Sequence, residues 1–180
     1  VMASSFEGQG APASTFTQDK LKKIAETLPV QDREDFELIQ RGFIATAADG
    51  KLRDSKGEVV GELTGDEFFA RNAPESVNPS LWRNSALLHK HGLFKVKDRI
   101  YQLRGFSISN ITIIEGDTGY IVVDPGAEAA AVTGMKLVRE HLGDKPVVGV
   151  IYTHSHSDHY AGVRGVLSDD EAQARKVPII

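Results

Sequence analysis

The stretch Val147-Val148-Gly149-Val150-Ile151-Tyr152-Thr153-His154-Ser155-His156-Ser157-Asp158-His159 decides the fold. Its first half is an almost unbroken apolar run, the pattern of a strand buried on both faces of a sheet. Its second half places three of the chain's six histidines within six residues, with an aspartate among them. Upstream, a helix is expected at about 127–142. Ala131, Met135, Val138 and Leu142 recur at helical spacing, and Gly143 supplies the stop. Before it, Ile100–Leu103, Ile108–Ile114 and Tyr120–Val123 read as short strands, with a tight turn at Gly116–Gly119. The order is β-β-β-α-β. Beyond the histidines, residues 163–176 read as one helical piece. The apolar tail Val177–Ile180 reads as the start of another strand, so the sequence is expected to be truncated there.

The first half of the chain is helical in pattern. Residues 1–16 are small and polar and read as a mobile arm. Thr17 is expected to cap a helix that Pro29 ends, and Asp32 a shorter helix carrying Phe36 and Ile39. Asp54–Gly57 sits at the tip of a hairpin in Lys51–Val60. Thr64-Gly-Asp-Glu67 has the capping-box spacing. Asn78-Pro79 opens a clearer helix, which Gly92 is expected to end. The domain reading is 1–16 arm, 17–93 helical extension with a small hairpin, and 94–180 a β-rich unit carrying the histidines.

Imidazole and carboxylate suit borderline divalent cations such as zinc. In an extended segment, alternate residues share a side, so His154 and His156 are expected to point together toward one ion. Ser157 permits a turn that brings Asp158 and His159 toward a second. The end of a buried strand is also where open α/β sheets bind ligands. The competing reading is an inert polar turn, which a single histidine in a turn usually marks, or a metal site without catalysis. His89, His91 and His141 lie at helix C-terminal ends and read as structural or solvated. Asp124 ends an apolar strand in Val122-Val123-Asp124-Pro125-Gly126. It can either orient a metal-bound imidazole or satisfy backbone donors of its own turn.

Composition removes other classes. The 180 residues are 41% hydrophobic and 26% charged, a globular balance. The net charge of −4 is the wrong sign for a chain that grips nucleic acid through phosphates. No cysteine is present, so disulfides, thiolate metal sites and cysteine nucleophiles are excluded. That absence fits periplasmic, secreted and cytoplasmic soluble proteins alike. No apolar run reaches the roughly 18–20 residues of a membrane span. The N-terminus has neither the basic start nor the apolar stretch of a signal peptide, and fits equally the end left after one is removed. Neither G-x-G-x-x-G nor a P-loop motif occurs.

His154-x-His156-x-Asp158-His159 after an apolar strand resembles the H-x-H-x-D-H signature of the metallo-β-lactamase fold superfamily. Asn78-Pro-Ser-Leu-Trp82-Arg83, His91-Gly-Leu-Phe94, Ile100–Gly105, Asn110–Gly119 and Tyr152–Gly165 resemble the alkylsulfatases within it. The likeness covers roughly residues 30–168. It implies an α/β (α+β) fold, the first half of an αβ/βα sandwich, preceded by a helical extension. It implies two zinc ions, with His154 and His156 on the first and Asp158 and His159 on the second. Asp158 is also the catalytic candidate, and Asp124 a supporting one. The remaining ligands and sulfate-binding groups are implied downstream, as is the domain through which such enzymes form homodimers. The implied reaction is hydrolysis of alkyl sulfate esters, such as dodecyl sulfate, to alcohol and sulfate. Alternatives are a lactonase, thioesterase or β-lactamase on the same fold, or a non-catalytic metal-binding fragment.

Overall fold

The computed structural model describes residues 12–63 and 66–180. They form two compact units, residues 12–40 with 66–90, and residues 41–63 with 91–180. The hairpin anticipated within the helical extension therefore falls in the second unit, as does the segment from Arg41. No helix among the described residues is long and apolar enough to cross a membrane.

The first unit holds α1 (Thr15–Thr27) and α2 (Glu34–Leu38), with α3 (Asp66–Phe69) and α4 (Pro79–Leu88). Ser14, not Thr17, caps α1: its side chain accepts the Thr17 backbone N–H. Thr15 and Phe16, expected in the arm, are thus already helical. Residues 1–11, and the Thr64–Gly65 start of the capping-box pattern, lie outside the described residues. Asp32 Oδ1 accepts the Glu34 N–H at 2.9 Å ahead of α2. Asn78 caps α4 as its side chain accepts from Ser80 and Leu81, with Pro79 at the first position.

In the second unit, β1 (Phe43–Ala45) pairs with β4 (Gly92–Lys97), and β2 (Lys51–Arg53) forms a separate hairpin with β3 (Val59–Glu62). The main sheet continues with β5 (Ile100–Arg104), β6 (Ile111–Glu115), β7 (Tyr120–Val123) and β8 (Val147–Ile151), in the order β1-β4-β5-β6-β7-β8. All neighbours are antiparallel except β7 and β8, which α5 (Glu128–Leu142) joins as a parallel crossover. Parallel strands need such a crossover because a tight turn cannot reverse the chain twice.

Alternation along the strands builds the core. Leu93, Leu103, Ile111, Ile113, Tyr120 and Val122 are essentially buried, while Gln102, Thr112, Ile121 and Val123 on the opposite face are half-buried. α5 lays Ala131, Met135 and Val138 into this core. Gly134 makes that approach possible, because a Cβ there would run into the Leu103 side chain. Gly143 closes the helix at φ 100°, and its carbonyl accepts the buried Tyr120 hydroxyl at 2.7 Å.

Three expectations are corrected. Gly92 does not end α4, which stops at Leu88. At φ 151° it opens β4, a strand the reading did not assign. Ile108 is 93% exposed in the loop before β6, because Gly105 and the serines around it bend the chain away from the sheet. Residues 163–176 form two short helices, α7 (Val163–Val166) and α8 (Asp169–Ala174), not one. In the tail, Ile179 makes an isolated parallel bridge to Val150 beside β8.

An ion pair ties the far end of the sheet. Lys145 Nζ lies 2.7 Å from Glu115 Oε1. Its hydrogen bond holds the Glu115 carboxyl below the usual range against burial, which pushes it up. A depressed carboxyl stabilises the fold fully above its unfolded value of about 4.3, and that contribution is lost as pH falls through the folded value. Lys145→Met should therefore cost about 1 kcal/mol or less at pH 7. Urea titrations at pH 7 and pH 3 should show the difference shrink in acid.

Candidate functional site

The site forms where β7 and β8 end side by side. Asp124 follows β7 with φ 53°, a left-handed conformation that aspartate tolerates better than most side chains. Only 8% of it is exposed. One carboxylate oxygen accepts the Thr153 backbone N–H at 2.8 Å, and the other accepts the Thr153 hydroxyl at 2.7 Å. His159 Nδ1 lies 2.9 Å from Asp124 Oδ2. This contact is short but misses the direction of a well-formed hydrogen bond, so Nδ1 is buried without one among the described residues. Burial pushes the Asp124 carboxyl up, but the two Thr153 hydrogen bonds and the His159 contact outweigh it and hold it below the ordinary range. Both readings of Asp124 thus describe the same side chain: it satisfies a backbone donor and it faces an imidazole.

The histidines are not on the strand. β8 ends at Ile151, and residues 153–155 bend before the single-turn helix α6 (Ser157–Tyr160). Alternation therefore does not place His154 and His156; the bend does. Their ring centroids are 4.7 Å apart, and the His159 ring lies 4.0 Å from His154. His159 Nε2 is 3.3 Å from Asp158 Oδ2. His154 and His156 are exposed, while Asp158 and His159 are half-buried.

Proton accounting assigns the free nitrogens. The Thr153 hydroxyl has one proton, which goes to Asp124. His154 Nδ1, 3.0 Å from the same oxygen, must then be the donor of that pair, which leaves His154 Nε2 with its lone pair. Asp124 likewise favours a proton on His159 Nδ1, so His159 Nε2 faces the Asp158 carboxylate. Two electron-pair donors at that distance are stable with a cation beside both. The donor set fits a borderline divalent ion by chemistry. Yet among the described residues no three His, Asp or Glu side chains are arranged to hold one ion by themselves.

Two contributors escaped the sequence reading. Thr153 stands one residue before the first histidine, and only its position at the strand end signalled a role. Ser109 has no sequence signal, yet its hydroxyl donates to the Asp158 backbone carbonyl from the loop before β6. Gly162 brings the two strand-end loops together. Its N–H donates to Gly126 O at 2.7 Å, and a Cβ there would collide with the carbonyls of Pro125, Gly126 and Ala127. The other histidines stay out of the cluster. His89 caps α4 beside the Phe69 ring, His91 meets Thr46 at 2.6 Å, and His141 sits in the last turn of α5.

Residues 104–179 match the metallo-beta-lactamase superfamily. The chain is 39% identical over 170 residues to an (R)-specific secondary-alkylsulfatase of Pseudomonas sp., covering 93% of this chain and 26% of that protein. It is 43% identical over 160 residues to an alkyl/aryl-sulfatase of Saccharomyces cerevisiae, covering 88% and 25%. The solved structure of an inverting sec-alkylsulfatase from Pseudomonas sp. superposes with a TM-score of 0.83 at 38% identity, over 94% of this chain and 27% of that one. The chain spans about a quarter of the length of these relatives.

Proposed function

From a chain that is a homologue of alkylsulfatases along most of its length, with a metallo-β-lactamase-like fold, we propose that the polypeptide carrying it hydrolyses alkyl sulfate esters to alcohol and sulfate. The supporting observation is the meeting of three imidazoles and two carboxylates at the ends of β7 and β8. In this reading His154 and His156 hold one zinc ion, and Asp158 and His159 a second, with further ligands from outside these 180 residues. Bound there, the ions supply a water activated near neutral pH and offset charge growing on the sulfate oxygens.

This chain's own residues do the positioning. Thr153 fixes Asp124 through two hydrogen bonds, and Asp124 lies 2.9 Å from His159 Nδ1, with Nε2 toward Asp158. Ser109 holds the backbone of Asp158. In this reading Asp158 would be the carboxylate that takes a proton from the attacking water. The first half of a sandwich over residues 94–180, behind a helical extension, belongs to the same proposal. So does the homodimer.

The test is a substrate screen on the full polypeptide with zinc present, setting dodecyl sulfate against a thioester, a lactone and a β-lactam. Turnover of dodecyl sulfate well above the others is expected. Preference for any of the other three would reassign the chemistry on the same fold. The 180-residue chain alone should bind zinc weakly by calorimetry and release no sulfate.

A further inference from the structure

The first unit contains a cleft of about 830 Å³ formed between α2, α4 and the residues after α3. Its walls carry the half-buried aromatic rings of Phe36, Phe69 and Trp82, and its charged lining is mostly cationic, with Arg33, Arg71, Arg83 and Lys90 against Glu37. This excess is local, because the chain as a whole is acidic at −4. It marks where a negative ligand would be drawn.

The cations are not equivalent. Arg83 is already engaged, with Nη1 2.9 Å from Asp35 and Nη2 donating to the Asp32 carbonyl. Arg33 and Arg71 have no carboxylate within ion-pair distance among the described residues. Each guanidinium instead lies against a ring, Arg33 at 3.9 Å from the Phe36 centroid and Arg71 at 4.5 Å from that of Phe68. A guanidinium stacked on a ring keeps its charge and its in-plane N–H edge, the edge that grips sulfonate, sulfate or carboxylate oxygens. Phe69 and Trp82 stand 5.1 Å apart at 62°, an edge arrangement that offers an aromatic surface to a flat apolar body.

We propose that this cleft binds an organic anion with a planar apolar body, its charged group held by Arg33 or Arg71 and its ring against Trp82 and Phe69. The inference rests on the first unit alone and is independent of the sulfatase reading.

Trp82 is the chain's single tryptophan, so its emission reports on this cleft directly. The experiment titrates the chain with naphthalene-2-sulfonate and with its neutral counterpart 2-naphthalenemethanol, in the presence of a chelator. The sulfonate is expected to change the Trp82 emission saturably, and the neutral compound to bind at least tenfold more weakly. Arg33→Gln and Arg71→Gln each remove an exposed side chain without touching the Arg83–Asp35 pair, so the fold should survive. At least one of them should weaken sulfonate binding about tenfold, the scale of one charge-assisted contact. An unsaturable response, equal affinity for the neutral compound, or parent-like affinity in both variants would overturn the proposal.

Discussion

Replacing His159 by alanine in the full polypeptide is expected to lower alkyl sulfate turnover by orders of magnitude while leaving the fold in place. The His159 ring lies beside Asp158 and His154, two of the proposed ligands, and against Asp124, which positions it. Removing it deletes a proposed ligand and the Asp158 carboxylate's 3.3 Å neighbour. The stability cost should be modest, about 1 kcal/mol, because Asp124 keeps both hydrogen bonds from Thr153 and is not left buried and unpaired. Sulfate release and thermal unfolding measured on one preparation separate the two effects. Parent-like turnover by a folded, zinc-loaded variant would remove His159 from the site.

Gly162→Ala is the second large effect, and it should act on stability first. The new methyl group would meet three backbone carbonyls, and backbone cannot yield as a flexible side chain can. Overpacking of this kind costs about 1–3 kcal/mol or more, a fall in Tm of roughly 2–4 °C per kcal/mol for a chain of this size. The clash also pushes the loop after Asp124 away from the loop after His159, so activity should fall even below the melting transition. Calorimetry with activity assayed at 20 °C tests both parts. An unchanged Tm would mean that the two loops separate without cost.

The crossover was legible because its signals are strong. The Ala131, Met135, Val138 spacing marks the buried face of α5, and the apolar run at Val147 marks β8. The Asn78-Pro79 start of α4 has a local side-chain cause and needs no tertiary context. β4 was hidden because Gly92 serves equally well after a helix and at a strand start; pairing with β1 and β5 decided it. The Arg41–Glu62 segment joins the sheet unit through contacts distant in sequence, such as the Arg53 N–H on Thr133, which no local pattern foretells. At the site, the residue types carried the chemistry. The bend that gathers the rings, and the support from Ser109, depend on how the loops pack.

The link from Asp124 to Thr153 closes a loop of 29 residues, the whole of α5 and β8. Its closure carries an entropic cost that grows slowly with length. Just beyond that closing point His159 Nδ1 lies 2.9 Å from Asp124, so a ligand that fixes His159 in this position favours the closed loop. Ligand affinity and the folding of the crossover therefore draw on one free energy. At a hundredfold excess over its Kd, a species bound only by the closed form adds about 2.7 kcal/mol to the unfolding free energy. By the same mass action, every mutation that loosens the crossover weakens the grip on the ligand, even where it touches no residue of the site.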